Sequence, residues 1–458
     1  MLFHSQGFLF AFLPLALALY YAAAGMERAR IALLVLASFV FYGYWDVRLV
    51  PLLAGSIVVN WLFARIAHLG RGGWPVVAGV ALNLAVLGIF KYADFFADSL
   101  AALGLFEHAR WNIILPLGIS FFTFQQISYL IDLRRGAAPL YRFDEYALYV
   151  AFFPQLIAGP IVRHHEIIHQ FALDPFRDGL HARLSRGLVL FLVGIVKKAV
   201  LADRLALFVD PIYARAEAGS ALAMPDAWLA AGGFGLQIYF DFSGYSDMAI
   251  GLALMFGFTL PDNFNAPYRA TSIREFWRRW HMTLSRFLRD YLYIPLGGSR
   301  RGPGRRAAAL SLTMLLGGLW HGAGWTFVIW GGLHGLGLAA NHLWRRTGIA
   351  MPAALGWLLT MAFVFFCWIL FRAQSFAGAA RLVEALAGPL ADPALHPKHW
   401  VLLGIAAGVA LLGVTSQRLV KQELRPYPVL GAALAVGLAY MALHVGGPGA
   451  QEFIYFQF

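Results

Sequence analysis

Two histidines stand in segments rich in tryptophan. His281 lies between Trp280 and Met282 in REFWRRWHMTL, and His321 follows Trp320 in LGGLWHG, 40 residues further along the chain. A neutral imidazole accepts a proton from a hydroxyl as that hydroxyl attacks a carbonyl, so histidine is a natural general base for acyl transfer. The alternative interpretation is a neutral histidine that hydrogen-bonds to a neighbouring helix and has no catalytic role.

The other histidines offer weaker candidates. His334 shares the segment 315 to 335 with His321, among glycines that allow close approach of a helix or a ligand. In RHHEIIHQF, His165 and His169 have i, i+4 spacing, but this polar stretch is more typical of a loop than of a metal site. We therefore expect no metal. The chain has no G-x-S-x-G elbow and no Walker-type glycine loop, so serine-hydrolase and P-loop ATPase chemistry have no support.

The composition excludes an ordinary soluble protein. Of 458 residues, 60% are hydrophobic and only 13% are charged, against roughly one quarter charged in soluble domains. Apolar stretches of roughly 20 residues recur from end to end, so we predict one membrane domain over residues 1 to 458. The net charge of +12 is interpreted first as cytoplasmic loops facing anionic membrane lipid, and no nucleic-acid partner is expected.

The apolar segments predict an all-α polytopic integral membrane protein with about ten to twelve transmembrane helices. Region 145 to 161 contains Pro154 and is expected to be re-entrant, and region 307 to 344 is expected to enter the membrane and return. Basic residues in alternate loops place both termini outside, including the tail 446 to 458. The predicted spans are 7–24, 31–47, 50–66, 74–92, 111–131, 184–209, 226–257, 353–371, 400–417 and 427–445.

The segment 261 to 296 is the densest in basic and aromatic residues. On a helical wheel its apolar residues share one side and its arginines another, which predicts a helix lying in the membrane interface. One interpretation is an anchor on anionic lipid. In the other, the arginines hold the phosphates of a nucleotide-bearing donor, since guanidinium groups pair with phosphate through two hydrogen bonds. The candidate donor-binding residues are Arg278, Arg279, Trp280 and Trp320.

Polar side chains interrupt two predicted spans. The segment GLQIYFDFSGYSDMAIG carries Asp241 with almost no nearby cation, which is costly unless its polar residues line a wet cavity or bond to each other. Lys197 and Lys198 either pair with such carboxylates or extend to the membrane surface. Gln125 and Gln126 are predicted to hydrogen-bond between helices.

Four segments resemble the membrane-bound O-acyltransferase (MBOAT) family: NFNAPYRATSIREFWRRWHMTLSRFLRDYLYIPLGG, LGGLWHG, FQQISYLID and FFPQLIAGPIVR. The likeness covers nearly the whole chain and is strongest to the bacterial branch that O-acetylates alginate and related polysaccharides. It implies a multi-helix fold around a central funnel. His321 matches the invariant family histidine, and His281 matches a second position that holds Asn or His. We expect His321 to act as general base and His281 to orient the thioester or stabilise the oxyanion.

The resemblance also implies substrates and partners. Acetyl-coenzyme A (acetyl-CoA), entering from the cytoplasm, is the expected donor, and no bound cofactor is expected. The expected acceptor is an exported polysaccharide such as alginate, with peptidoglycan, cellulose or a teichoic-acid-like polymer as alternatives. A periplasmic O-acetyltransferase of the SGNH type and the polysaccharide machinery are the expected partners. The expected location is the bacterial inner membrane.

The C-terminal tail ends in EFIYFQF. This sequence resembles an aromatic motif of the same bacterial branch and of the small partner peptide in teichoic acid D-alanylation, where a tyrosine is proposed to carry the acyl group. Tyr455 matches that tyrosine. The alternative is an aromatic belt at the membrane interface.

Two other functional classes are compatible with the residues alone. A transporter or flippase also uses broken helices and buried polar groups, although no paired halves are detectable. A non-catalytic scaffold of a polysaccharide export complex would use the aromatic tail for docking and would not need His321.

Overall fold

The computed structural model describes residues 1–70, 72–105, 110–300, 302–390, 397–420, 437 and 453–454. All regular secondary structure in these ranges is helical, in agreement with the predicted all-α class. The α-helices are α1 (Leu13–Ala22), α2 (Glu27–Gly43), α3 (Val50–His68), α4 (Trp74–Leu87), α5 (Ala93–Ala102), α6 (Ile119–Arg134), α7 (Phe143–Ala151), α8 (Phe153–Leu156), α9 (His164–Ile167), α10 (Leu180–Ile195), α11 (Asp203–Glu217), α12 (Met224–Met255), α13 (Ile273–Arg279), α14 (Met282–Leu288), α15 (Pro303–His321), α16 (Trp325–Arg346), α17 (Ala353–Arg372), α18 (Phe376–Ala385), α19 (Lys398–Leu412) and α20 (Ser416–Arg418).

The chain divides into two compact units. The candidate histidines His281 and His321 both belong to the second unit. The single membrane domain and its central funnel stay predictions. The first unit comprises Met1–Val193, Ser246–Pro261 and Val420–Glu452, and the second comprises Gly194–Tyr245, Asp262–Leu419 and Phe453–Phe458.

Hydrogen bonds between polar side chains join helices of the first unit. Gln126 Nε2 on α6 donates to Ser56 Oγ on α3 at 2.7 Å, and the Tyr146 hydroxyl on α7 donates to Gln126 Oε1 at 3.3 Å. Asn83 on α4 donates to the Asn60 side chain on α3. These bonds satisfy buried polar groups that would otherwise be costly, and they confirm that Gln126 hydrogen-bonds between helices.

The region 145 to 161 has a broken helical backbone, as its proline predicts. α7 ends at Ala151 and α8 begins at Phe153. Pro154 has no N–H to donate to the carbonyl four residues earlier, so one helix cannot continue through it. The freed backbone N–H of Phe153 donates to Ser38 Oγ at 3.0 Å. The re-entrant position of this region in the membrane stays a prediction.

The region 307 to 344 turns back on itself, as expected from its length. α15 and α16 are joined by the short turn 322 to 324 and pack against each other. A Cβ atom on Gly331 would lie 2.2 Å from the Met314 carbonyl oxygen, and one on Gly318 would lie 2.2 Å from the Phe327 carbonyl oxygen. Glycine at these two positions therefore allows the helix backbones to touch.

Three helical segments of the described chain are long and apolar enough to cross a membrane. They are Val47–His68, Trp74–Ala102 and Ala353–Arg372, which match the predicted spans 50–66, 74–92 and 353–371. The total of ten to twelve crossings, the other spans and the orientation of the termini stay predictions. The last predicted span, 427 to 445, lies outside the described residues except for position 437.

Candidate active site

The segment around His281 is not one helix, so the prediction of a single amphipathic helix within 261 to 296 is wrong, whereas its position at the membrane interface stays a prediction. α13 ends at Arg279 and α14 begins at Met282, with Trp280 extended and His281 in the left-handed region at φ +41°. Backbone hydrogen bonds from outside the helices replace the intrahelical ones at this break. Asn265 N–H donates to the Arg279 carbonyl at 2.9 Å, and Met282 N–H donates to the Asn263 carbonyl at 2.9 Å.

Asn263 fixes the tautomer of His281. Its Oδ1 lies 3.1 Å from His281 Nδ1 and accepts from the backbone N–H of Thr283 at 3.3 Å and from the Thr283 hydroxyl at 2.9 Å. A backbone N–H can only donate, so Oδ1 is an acceptor and His281 Nδ1 carries the proton. The lone pair of His281 is therefore on Nε2.

His281 is neutral and its Nε2 is available to a substrate. The side chain is 0% exposed, and Nε2 has no hydrogen-bond partner among the described residues. His281 lies in the connection between α13 and α14, outside the three apolar spans, and burial lowers its pKa to about 3. A buried, unprotonated nitrogen without a protein partner can accept a hydrogen bond from a bound ligand.

The two candidate histidines come together in the second unit. His321 is the last residue of α15 and is 4% exposed. Its ring centroid lies 6.5 Å from that of His281. Trp320 lies 4.9 Å from the His321 ring and 6.2 Å from the His281 ring. A small substrate group between the two imidazoles could therefore contact both of them.

An aromatic shell surrounds the two histidines. Phe242 meets the His281 ring edge to face at 4.6 Å, and Trp330 and Phe371 meet the His321 ring in the same way at 5.1 Å and 5.4 Å. Trp280, a candidate donor-binding residue, is buried within this shell and lies 4.9 Å from Trp368. These rings exclude water and lower the local dielectric, which strengthens electrostatic interactions at the site.

His334 occupies a structural position. Trp277 Nε1 donates to His334 Nδ1 at 3.2 Å, linking α13 to α16. The side chain is fully buried. For this histidine the geometry supports the interpretation of a neutral imidazole hydrogen-bonded between helices.

An arginine-rich cavity of about 430 Å³ lies beside the histidines. Its lining includes Met282, which follows His281, and Trp277, which contacts His334. Arg278 lines the cavity, whereas Arg279 is not among the lining residues and forms an ion pair with Glu275 at 2.7 Å. Among the described residues the lining contains no carboxylate, so the cavity favours an anion. Its arginines are Arg274, Arg278, Arg286, Arg289, Arg306 and Arg345.

Two residues of the aromatic motif, Phe453 and Ile454, also belong to the second unit. Phe453 and Ile454 are buried, and the Phe453 ring lies 5.7 Å from Phe242, which contacts His281. Tyr455, the candidate acyl carrier, lies outside the described residues.

The described residues contain no group of three potential metal-ligating side chains. In the first unit, His164 instead lies 3.3 Å from the Asp132 carboxylate and 3.0 Å from the Tyr141 hydroxyl.

Sequence reasoning missed Asn263, whose partner His281 is 18 residues away. Its only signal was an amide residue at the start of the motif NFNAPYR.

Comparison with known proteins identifies relatives of this chain. The family model described as "MBOAT, membrane-bound O-acyltransferase family" matches residues 119–380. A peptidoglycan O-acetyltransferase of Helicobacter pylori is 42% identical over 85% of this chain and 80% of its own length. A probable alginate O-acetylase of Pseudomonas aeruginosa is 45% identical over 84% of this chain and 75% of its own length. A teichoic acid D-alanyltransferase of Streptococcus thermophilus is 30% identical over 50% of this chain and 57% of its own length. The chain therefore belongs to the membrane-bound O-acyltransferase family and is a membrane-bound enzyme that transfers acyl groups.

Proposed function

We propose that this enzyme takes an acetyl group from cytoplasmic acetyl-CoA and moves it across the bacterial inner membrane for O-acetylation of an exported polysaccharide. The observation that carries this proposal is the pair of buried histidines, 6.5 Å apart, beside an arginine-lined cavity. The relatives act on alginate and peptidoglycan by their names, which supports a polymer acceptor. Alginate is the first candidate, and peptidoglycan, cellulose or a teichoic-acid-like polymer are the alternatives.

The arginine-lined cavity supports a nucleotide-bearing donor. The phosphates of acetyl-CoA would pair with Arg278, Arg345 and their neighbours, because guanidinium groups bind phosphate oxygens through two hydrogen bonds. The acetyl thioester would extend past Met282 towards His281. Because its Nδ1 carries the proton, His281 can accept a hydrogen bond only at Nε2. It would orient the donor by accepting a hydrogen bond at Nε2 from an amide N–H of the pantetheine arm. This tautomer has no second N–H for an oxyanion, which favours the orienting role over oxyanion stabilisation.

His321 would act as the general base. As the acceptor hydroxyl oxygen attacks the thioester carbonyl carbon, the imidazole takes the hydroxyl proton. A C–O bond forms, the C–S bond breaks, and the proton passes to the departing thiolate to give free coenzyme A. The aromatic shell keeps water away from the thioester and so limits hydrolysis.

The first acceptor would be the hydroxyl of Tyr455, which follows the docked residues Phe453 and Ile454 in sequence. A periplasmic O-acetyltransferase of the SGNH type would then transfer the acetyl group from Tyr455 to the polysaccharide. Only the acetyl group would cross the membrane, and coenzyme A would remain in the cytoplasm.

The cavity arginines give a prediction about donor affinity. In the double variant Arg278→Gln and Arg345→Gln we expect the KM for acetyl-CoA to rise about tenfold with little change in kcat, because exposed charge pairs are worth about 0.2–1 kcal/mol each and act before the chemical step. Steady-state release of coenzyme A measures both constants. Arg48→Gln is the matched control, since Arg48 is exposed and pairs with Asp46 in the first unit. An unchanged KM would show that the donor does not bind in this cavity.

The function itself is tested by mass spectrometry of the purified protein incubated with acetyl-CoA. We expect wild type to release coenzyme A and to carry a 42 Da adduct, about the mass of one acetyl group, on the C-terminal peptide, whereas Tyr455→Phe should lack the adduct. Release of coenzyme A by wild type without an adduct would support acyltransferase activity and contradict transfer through Tyr455. Transport of intact coenzyme A across vesicles would favour the transporter class instead.

A further inference from the structure

A buried carboxylate in α12 binds the main chain within the C-terminal tail. Asp241 is 2% exposed, and its Oδ2 accepts the backbone N–H of Ile454 at 2.9 Å. Its other oxygen, Oδ1, lies 2.5 Å from Lys198 Nζ. Lys198, 3% exposed, also lies 2.8 Å from Asp203. One ammonium group thus lies between two carboxylates, and one of these carboxylates also holds the tail.

The tail is held by packing as well as by this hydrogen bond. The Phe453 ring lies 4.7 Å from Tyr245 and 5.7 Å from Phe242. Phe242 in turn contacts the His281 ring at 4.6 Å. Phe453 and Ile454 are both buried. A continuous row of aromatic contacts therefore leads from the tail to the candidate active site.

Asp241 is suited to hold a main-chain N–H. A buried carboxylate is costly unless a cation and hydrogen bonds compensate its charge. Lys198 compensates the charge through its contact with Oδ1, and the lone pairs of Oδ2 also need donors. The Ile454 N–H, 213 residues away in sequence, supplies one. A hydrogen bond to a charged acceptor is stronger than one to a neutral acceptor, and here it acts together with an aromatic ring that packs in the same segment.

We propose that Asp241, held by Lys198, is a positioning residue that docks the C-terminal tail beside His281. Docking of Phe453 and Ile454 delivers the next residue in sequence, Tyr455, to the acyl-transfer site. The docking stands on the contacts above, whereas the delivery rests on the proposed function.

Hydrogen exchange at the Ile454 amide tests the docking without reference to activity. In wild type this amide should exchange slowly, since it is buried and bonded. In Asp241→Ala we expect it to exchange at least ten times faster in a C-terminal peptide analysed by mass spectrometry. Asp203→Asn is the matched control, because it removes the charge of a second carboxylate beside Lys198 and leaves the Asp241 contact to the tail in place. Equally fast exchange in wild type and Asp241→Ala would overturn the proposal.

A second variant covers the case in which Asp241→Ala does not fold. Phe453→Ala leaves the buried ion pair intact and removes only the ring that packs on Tyr245 and Phe242. It should also accelerate exchange at Ile454, and an unchanged rate would contradict docking.

The acetyl adduct distinguishes failure of the docking from failure of acyl transfer through Tyr455. Loss of protection together with loss of the adduct supports positioning by Asp241, whereas loss of protection with a normal adduct overturns it. If the Ile454 amide of wild type exchanges slowly but the protein carries no acetyl adduct, docking is supported and transfer through Tyr455 is refuted.

Discussion

Replacement of His321 by glutamine should reduce release of coenzyme A from acetyl-CoA by about 10³-fold. General-base catalysis contributes about 10²–10⁴-fold, and glutamine keeps the approximate size of the side chain and its hydrogen-bonding capacity but cannot take up a proton. Because His321 is the last residue of α15 and packs against Trp330 and Phe371, glutamine disturbs this contact less than alanine does. Single-turnover release of coenzyme A in detergent is the measurement.

His334 provides the matched control for this experiment. It is a buried histidine of the same helix pair, but its Nδ1 accepts from Trp277, so His334→Gln should lower the unfolding temperature and leave the rate of folded enzyme within about threefold of wild type. A nearly normal rate in His321→Gln would refute its assignment as the base.

Replacement of His281 by alanine should lower kcat/KM for acetyl-CoA by about 100-fold, or about 2.7 kcal/mol. The change removes the Nε2 acceptor and the ring that packs between Phe242 and Trp320. His281→Asn should recover part of the activity, because asparagine tolerates the left-handed backbone and supplies an oxygen acceptor. Equal kcat/KM values in His281→Ala and wild type would show that His281 takes no part in the reaction.

Two variants of Asn263 test its contact with His281. Asn263→Asp keeps an acceptor for Nδ1–H but places a negative charge beside the ring, which raises the pKa of His281 from its value of about 3. The imidazolium then forms as pH falls, Nε2 becomes a donor, and activity should decline towards low pH and recover as pH rises. Asn263→Leu removes the acceptor and should lower activity at all pH values. Identical pH profiles in Asn263→Asp and wild type would contradict the contact between Asn263 and His281.

Local sequence patterns predicted those parts of the fold that depend on local properties. Hydropathy placed the span 353 to 371, which the structure shows as α17, and the length of region 307 to 344 predicted a chain that turns back. The nearness of His281 and His321 was expected from the family resemblance, since nothing in their spacing brings two residues 40 positions apart together. The open question about Lys198 is answered by its ion pairs with Asp203 and Asp241.

The features that the sequence did not predict depend on contacts between distant residues. A helical wheel records which side chains share a face, but not the backbone hydrogen bonds from Asn263 and Asn265 that stabilise the break at His281. For the same reason, the charge of Asp241 was visible in the sequence whereas its bond to Ile454 was not. A pattern of hydrophobic residues contains no information about which distant N–H group a carboxylate will meet.

The left-handed backbone at His281 also has a thermodynamic consequence. At φ +41°, a residue with a Cβ atom is less stable than glycine by about 1–2 kcal/mol. The hydrogen bond to Asn263 and the packing of the buried ring against Phe242, rather than local backbone preference, therefore keep His281 in this conformation. A distant substitution that loosens the contact to Asn263 would let this backbone relax and would move the imidazole out of position without changing any residue of the reaction.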